Sequence, residues 1–341
     1  MVQFACSFAA SGIKREVGDG SAAAQPATAV RPVVLFVLGM ARSGTSALTR
    51  VLSLCSGTLP AGMMGANSGN PLGYWEPRAA VCLNEAILQR HGSTMFDPSL
   101  RLQEESAFAA KEKAACIAEI RAFLTTLPAA PLVVIKDPRI ALLSGLWFEA
   151  AQLDGFDVVT AIAVRHPQEV IASLGAKARV SPELAGALWL KYNLVVERHA
   201  YGVPRVFVDY ANLLDNWRGE IKRISAALEV DLDTQDEGAI DEFLTPDLRR
   251  QRHCGSVTEP FGTEWISPVY ETLRAAARDE PWDRSVLDRV FEAYRASEYG
   301  FRMAFEDSRR LDKRNRLLPL PIMKLGLEGL AMAHRCKGVW A

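Results

Sequence analysis

The sequence predicts an α/β fold built on a central parallel sheet, and three observations predict it. Four short, continuous apolar runs rich in branched residues recur along the chain, at 33–38 (VVLFVL), 132–135 (LVVI), 158–164 (VVTAIAV) and 205–208 (RVFV). Unbroken apolar runs of this length fit strands buried on both faces. Segments of helical period separate the runs, and strands alternating with helices imply parallel pairing. Each run also ends at a polar or charged group: Arg42, Lys136, Arg165, and Asp209 with Tyr210. A parallel sheet collects such residues along its carboxyl edge, where open α/β sheets bind ligands.

The elements follow in chain order. Residues 1–30 are rich in Ala, Ser and Gly, lack periodicity, and read as a flexible arm. The run at 33–38 ends at Gly39 and reads as the first strand. Leu48, Val51, Leu52 and Cys55 then share one helix face. Residues 104–126 and 142–152 have helical patterns. Ser181-Pro182-Glu183 combines a capping residue with Pro in the first turn, so a helix is expected to open there, with Leu184, Leu188, Val195 and His199 close to one stripe. No internal repeat is present. The orderly part is expected to form one domain over 31–305, followed by a basic amphipathic tail over 306–341. Within it, residues 308–341 hold eight Lys or Arg and two Asp or Glu, a charge of +6. Ile322, Met323, Leu325, Leu327, Leu330 and Met332 are interleaved. The ordinary reading of such a stripe is packing across its own domain or a second subunit, as in a homodimer. Peripheral contact with a membrane or a lipid-bearing acceptor is the alternative.

Composition bounds the function. A chain of 341 residues that is 49% hydrophobic and 23% charged has the make-up of a globular protein with a sizeable core. Lys and Arg number 39 against 40 Asp and Glu, for a net charge of −1, which argues against bulk binding to nucleic acid. The six cysteines form no CxxC pair and the five histidines are scattered, so neither zinc-site spacing nor a disulfide scaffold is indicated. A reducing, cytoplasmic setting is expected. No apolar run reaches the ~18 residues of a membrane span, and the N-terminal stretch lacks the basic leader of a secretion signal.

The strongest local signal is Gly39-Met40-Ala41-Arg42-Ser43-Gly44-Thr45-Ser46, between the first apolar run and an amphipathic helix. Glycines at this spacing let the backbone curl so that successive N–H groups face one anion, and the helix start adds partial positive charge. In nucleoside triphosphatases the residue after the second Gly is a Lys that reaches the β and γ phosphates. Here that residue is Thr45, and the cation is Arg42 within the loop. A shorter anion, such as a 5′-phosphate with one further charged group, suits this loop better than a triphosphate.

Arg42-Ser43-Gly44-Thr45-Ser46 resembles the 5′-phosphosulfate loop of PAPS-dependent sulfotransferases of the bacterial type, PAPS being 3′-phosphoadenosine 5′-phosphosulfate. A second mark of that family is a strand-end Arg with a Ser eight residues on, and Arg165 and Ser173 have that spacing. The resemblance covers roughly residues 32–255 and extends to Gly73-Tyr74-Trp75-Glu76, Ile135-Lys136-Asp137-Pro138-Arg139 and Trp189-Leu190-Lys191-Tyr192-Asn193. It implies a three-layer P-loop-like fold and PAPS as co-substrate, with PAP (3′,5′-bisphosphoadenosine) as product and no metal. Arg42, Ser43, Gly44, Thr45 and Ser46 would hold the 5′ end, and Arg165 with Ser173 the 3′-phosphate. The chain departs from the vertebrate pattern. Ala47 stands where a Trp stacks on adenine, the late Arg-Lys-Gly loop is absent, and Lys136-Asp137-Pro138 occupies the region of the catalytic His. Arg249, Arg250 and Arg252 are candidate substitutes for the missing loop.

The resemblance also distributes catalytic roles. Arg42 and Lys136 are the expected cations for charge building on the leaving phosphate. Glu76 is the expected base, with Asp137 and His253 as alternatives and His166 as structural. Glu76 also has a plain reading as a charge at a helix start, since Pro77 follows it. Tyr74, Trp75, Trp265 and Tyr270 are candidate walls for a flat or sugar-like acceptor, in loops at 60–100 and 255–285. The expected activity is sulfuryl transfer to a hydroxyl or amine of a glycan, lipid or other small molecule. The alternatives are a P-loop kinase or other nucleoside triphosphatase, and a non-catalytic PAP-binding protein.

Overall fold

Short apolar strands must be covered on both faces, and this chain covers them with helices on each side of a four-stranded sheet. The computed structural model describes residues 31–66, 70, 72–104, 106–234, 236–245, 248, 252–253, 257–259 and 263–317, with positions 322, 324, 325, 328, 329 and 332. Residues 1–30, expected to be an arm, lie outside these. The strands are β1 (Val33–Leu38), β2 (Leu132–Ile135), β3 (Asp157–Val164) and β4 (Arg205–Asp209), all parallel, in the order β2-β1-β3-β4. Helices α1 (Thr45–Leu54), α2 (Arg78–Arg90) and α3 (Ala110–Leu124) lie between β1 and β2, and α4 (Ile140–Leu153) links β2 to β3. Between β3 and β4 come α5 (Pro167–Ala178) and α6 (Pro182–His199). After β4 follow α7 (Tyr210–Asp215), α8 (Trp217–Leu228), α9 (Glu237–Phe243), α10 (Ile266–Ala276) and α11 (Arg284–Leu317).

Strand alternation creates two cores. Val34, Phe36 and Leu38 of β1 join one, with side chains from α2 to α6, α10 and α11. Leu35 and Val37 join the other, against α1, α7, α8 and α9. The expected α/β class, a parallel sheet between two helix layers, is what the chain forms. The strand order sets the functional edge. The chain leaves β1 for β2 on one side, then crosses back so that β3 lies on the other side of β1. The loops after β1 and β3 therefore diverge at adjacent carboxyl ends, the crevice where open α/β sheets bind ligands.

Local signals place the connecting helices. Ser181 caps α6, its Oγ accepting from the Leu184 amide at 3.2 Å, with Pro182 in the first turn and Arg198 and His199 in the last. His199 lies 2.8 Å through Nδ1 from the Ser144 hydroxyl of α4. Burial, with a smaller push from Arg198, lowers its pKa to about 4. Since the unfolded imidazole takes a proton near its ordinary pKa of about 6.5 and the folded one only near 4, stability falls as pH drops through that window. Discounted for partial exposure, the expected loss is about 1–3 kcal/mol. Urea denaturation between pH 7.5 and 4.5 checks it: His199→Gln is expected to flatten this part of the profile, and identical slopes in both proteins would refute the assignment.

Helix α11 is 34 residues long, about 50 Å, and passes position 306 without a break. Leu287, Val290, Phe291 and Tyr294 anchor it in the core. Farther on, Ile322, Leu325 and Met332 are 54%, 71% and 61% exposed, so at these three positions the tail stripe does not pack on its own domain. Among the described residues no helix is long and apolar enough to cross a membrane.

Candidate functional site

The turn after β1 requires glycine. Gly39 has φ 135° and Gly44 φ 89°, in the left-handed region. Neighbours add a second constraint: a Cβ on Gly39 would sit 2.9 Å from the Ala163 carbonyl oxygen, and one on Gly44 2.2 Å from the Tyr210 ring. Arg42 takes φ 75° without being glycine, a strained backbone that needs local support. The turn leads straight into α1, whose start at Gly44 has no side-chain cap. The Ser43 amide is spent on the Met40 carbonyl at 3.1 Å. The amides of Thr45, Ser46 and Ala47 precede the first intrahelical bond, from Leu48 to Gly44, and so have no acceptor within the helix.

The loop after β3 meets this turn directly. Arg42 Nε donates to Ser173 Oγ at 2.9 Å, and Arg165 Nη1 donates to the Arg42 carbonyl at 2.9 Å, which supports the strained residue. Arg165 Nε pairs with Glu169 at 2.7 Å, both side chains being buried, and its guanidinium lies over the Tyr210 ring at 4.6 Å. The two distant stretches that carry Arg42 and the Arg165–Ser173 pair therefore form one continuous strip of donors. Tyr210 packs on both, a role its position after β4 did not disclose. Glu169 was legible only as a residue four positions from Arg165, the spacing of an ion pair on one helix turn.

On the other side stands Lys136, at the end of β2 and 2% exposed. Its Nζ donates to Glu76 Oε1 at 2.5 Å, to the Tyr74 carbonyl at 3.1 Å and to Ser46 Oγ at 3.2 Å. All three ammonium donors are thus committed to protein acceptors. Glu76 precedes α2 and lies outside it, so it is not a charge on the helix's first turn. A cavity of about 250 Å³ opens here. Arg42, Thr45, Ser46, Asn70, Glu76, Lys136 and Arg139 supply its polar wall, and Met64, Tyr74, Val81, Met95 and Pro138 much of the rest. Arg165, Ser173, Ser43 and Gly44 do not line it; Arg165 and Ser173 contact Arg42 instead.

Several expected residues have other positions. Asp137 is fully buried, its oxygens accepting from Asn84 Nδ2 at 2.8 Å, Arg139 Nη1 at 2.9 Å and the Arg139 amide at 3.2 Å. Arg139 continues to Glu85 at 2.8 Å. Asp137 therefore orients its neighbours. His166 caps α5, its Nδ1 accepting from the Gln168 amide at 3.2 Å. His253 packs its ring on His166 at 4.8 Å and donates its amide to Glu169 at 3.1 Å. Trp75 turns from the cavity, with Nε1 on the Leu72 carbonyl and Arg50 over its ring. Tyr270 is a core residue packed edge-on to His166 and Trp189, and Trp265 packs against Tyr294. Arg252 is exposed, and Arg249 and Arg250 lie outside the described residues.

The Trp189-to-Asn193 stretch proves to be the scaffold of the cavity wall. Tyr192 Oη donates to the Met95 carbonyl at 2.9 Å, and Lys191 Nζ to the Asp97 carbonyl at 2.7 Å. From α11, Tyr294 Oη donates to the Pro98 carbonyl at 2.7 Å. Trp189 Nε1 reaches the Arg165 carbonyl at 3.2 Å. One helix thus holds both the Met95 wall and the Arg165 loop. Burial lowers the Lys191 pKa to about 8, against the pull of Asp97 and Glu298. Nothing in the local sequence marked it as a core lysine.

No protein-family profile and no curated protein matches the chain. Among solved structures it is similar to a sulfotransferase domain from an olefin synthase of Synechococcus, at 21% identity and TM-score 0.43, over 73% of this chain and 98% of the other. A sulfotransferase domain from the curacin biosynthetic pathway aligns at 16% identity and TM-score 0.35, over 77% and 97%. A sulfotransferase from Alicyclobacillus acidocaldarius aligns at 16% and 0.34, over 76% and 99%.

Proposed function

We propose that this chain is a sulfotransferase that moves a sulfuryl group from PAPS to a hydroxyl or amine of a small-molecule, glycan or lipid acceptor, releasing PAP. The observation that carries this reading is the Lys136–Glu76 pair, 2.5 Å long and nearly buried, set beside the uncapped start of α1. An anion cradle, a buried ammonium and a carboxylate meet in one cavity, and group transfer needs all three.

The residues present fit a phosphate-linked donor. The uncapped amides of Thr45, Ser46 and Ala47 with Arg42 suit its 5′ end, and Arg165 and Ser173, which contact Arg42 outside the cavity, are assigned a second phosphate that exchanges for their protein partners. The donor supplies a sulfuryl group joined to a good leaving phosphate. The chain's residues then divide the work. Lys136 exchanges Glu76 for the anion, which frees the carboxylate. Glu76 takes the proton as the acceptor's oxygen or nitrogen bonds to sulfur. Arg42 and Lys136 neutralise the charge that collects on the departing phosphate as the bridging S–O bond breaks.

The test is calorimetry with PAP, followed by incubation with PAPS and an acceptor library read by mass spectrometry for addition of SO₃. No PAP binding at millimolar ligand would overturn the reading. The second subsite has its own check. Arg165→Gln combined with Glu169→Gln removes a buried charge pair without stranding either partner. The double variant is expected to lose about tenfold or more in affinity for PAP and under about threefold for adenosine 5′-phosphosulfate, as the loss of one charged phosphate contact predicts. Equal losses would remove the 3′-phosphate from Arg165.

A further inference from the structure

We propose that a second cavity, apart from the one that holds Lys136 and Glu76, binds a small molecule through a primary ammonium group. This cavity has a volume of about 610 Å³, against about 250 Å³ for the first, and the two share no lining residue. Three stretches of chain wall it: Gln103 and Glu104 ahead of α3, Arg198 in the last turn of α6, and Phe291, Arg295 and Glu298 of α11. The α11 residues are four and three positions apart, so they share one helix face.

Two acceptors in this wall lack donors. Gln103 Oε1 and Glu298 Oε2 are both buried and make no hydrogen bond. The rest of each side chain is held in place. Gln103 Nε2 donates to the Leu142 carbonyl at 3.3 Å, and Glu298 Oε1 stands 3.5 Å from Arg302 Nη1, which pairs more closely with Glu104. Lys191 also pulls on Glu298, but its Nζ donates to the Asp97 carbonyl at 2.7 Å. Glu298 is only 2% exposed, so bulk water does not solvate its carboxylate. Burial pushes this carboxyl up, with Arg302 and the Leu100 amide opposing and Glu104 and Asp97 adding to the rise.

A buried carboxylate oxygen and a buried amide oxygen together call for N–H or O–H donors and a positive charge. An ammonium brings three donors and that charge. A hydroxyl brings one donor and no charge, and an anion would be repelled by Glu298. The lining arginines do not claim the acceptors. Arg198 and Arg295 are 44% and 61% exposed, each beside an acid of its own, Asp288 and Glu292. Arg198 also lies over the Phe291 ring at 4.6 Å. The buried acceptors are thus left to a cation, while the exposed guanidiniums suit a carboxylate on the same ligand.

The experiment is ligand-observed NMR titration of the full chain with hexylammonium, ω-aminohexanoate, hexanoate and hexanol, each to about 10 mM, the range expected for one charge-assisted contact. Saturable binding of hexylammonium is expected, about tenfold or more tighter than that of hexanoate or hexanol. Tighter binding of ω-aminohexanoate than of hexylammonium would assign Arg198 and Arg295 to a carboxylate of the ligand. Glu298→Gln keeps the side chain's shape and removes its charge, and is expected to weaken hexylammonium about tenfold or more. Gln103→Met removes the second acceptor and is expected to weaken it about threefold. Thermal unfolding of each variant establishes that it is folded. No saturable hexylammonium binding overturns the proposal and leaves water as the donor to both oxygens. Equal binding of hexanol, or wild-type affinity in either folded variant, overturns it as well. None of these readouts depends on sulfuryl transfer.

Discussion

Glu76→Gln is expected to lower sulfuryl transfer by about 10²–10⁴-fold while tightening PAP binding. The opposite signs follow from one contact. Glu76 holds Lys136 at 2.5 Å, so an incoming anion competes with a carboxylate for the same ammonium. Gln keeps the shape and a hydrogen-bond acceptor but removes the charge that competes. Lys136 is then easier to recruit, while the proton from the acceptor has nowhere to go. PAP affinity by calorimetry and initial rates with any acceptor from the library read the two effects separately. A variant that lost turnover and PAP affinity together would mark Glu76 as a support for the loop. A variant with normal turnover would remove it from the chemistry, and Asp137, buried with three hydrogen bonds to its oxygens, offers no replacement.

Gly44→Ala is expected to destabilise the fold by about 2–5 kcal/mol and to weaken PAP binding about tenfold or more. Two terms contribute. A side chain at φ 89° costs about 1–2 kcal/mol. The new methyl would also lie 2.2 Å from the Tyr210 ring, and overpacking of that kind costs about 1–3 kcal/mol. The affinity loss follows because Tyr210 also carries the Arg165 guanidinium at 4.6 Å, so a displaced ring moves the second subsite with the first. Urea denaturation and calorimetry of the wild type and the variant check this. An unchanged unfolding midpoint for Gly44→Ala would mean that the turn does not have this geometry.

Sequence alone determined the elements that depend on neighbours in the chain. The apolar runs gave strands at 33–38 and 132–135 and, within a residue, the other two. This follows because a strand buried on both faces has no other composition open to it. The glycine spacing after β1 and the Ser-Pro-Glu start of α6 were legible for the same reason: backbone conformation and caps are local. Arg42, Lys136, Arg165 and Glu76 were legible as residue types at strand ends or near the loop.

Tertiary structure decided which of them meet. That Arg42 binds Ser173, and that Lys136 holds Glu76 rather than Asp137, depends on the strand order β2-β1-β3-β4, which no single segment encodes. The aromatic residues show the same limit. Tyr74, Trp75, Trp265 and Tyr270 are alike in sequence, yet only Tyr74 lines the cavity, and the others found partners among Arg50, Tyr294 and His166. Lys191 is the sharpest case. A lysine reads as a surface residue until a loop from elsewhere in the chain covers it and offers the Asp97 carbonyl to its Nζ. Long-range packing chooses a side chain's partner, and its free energy is shared among segments far apart in sequence, so it leaves no mark on any one of them.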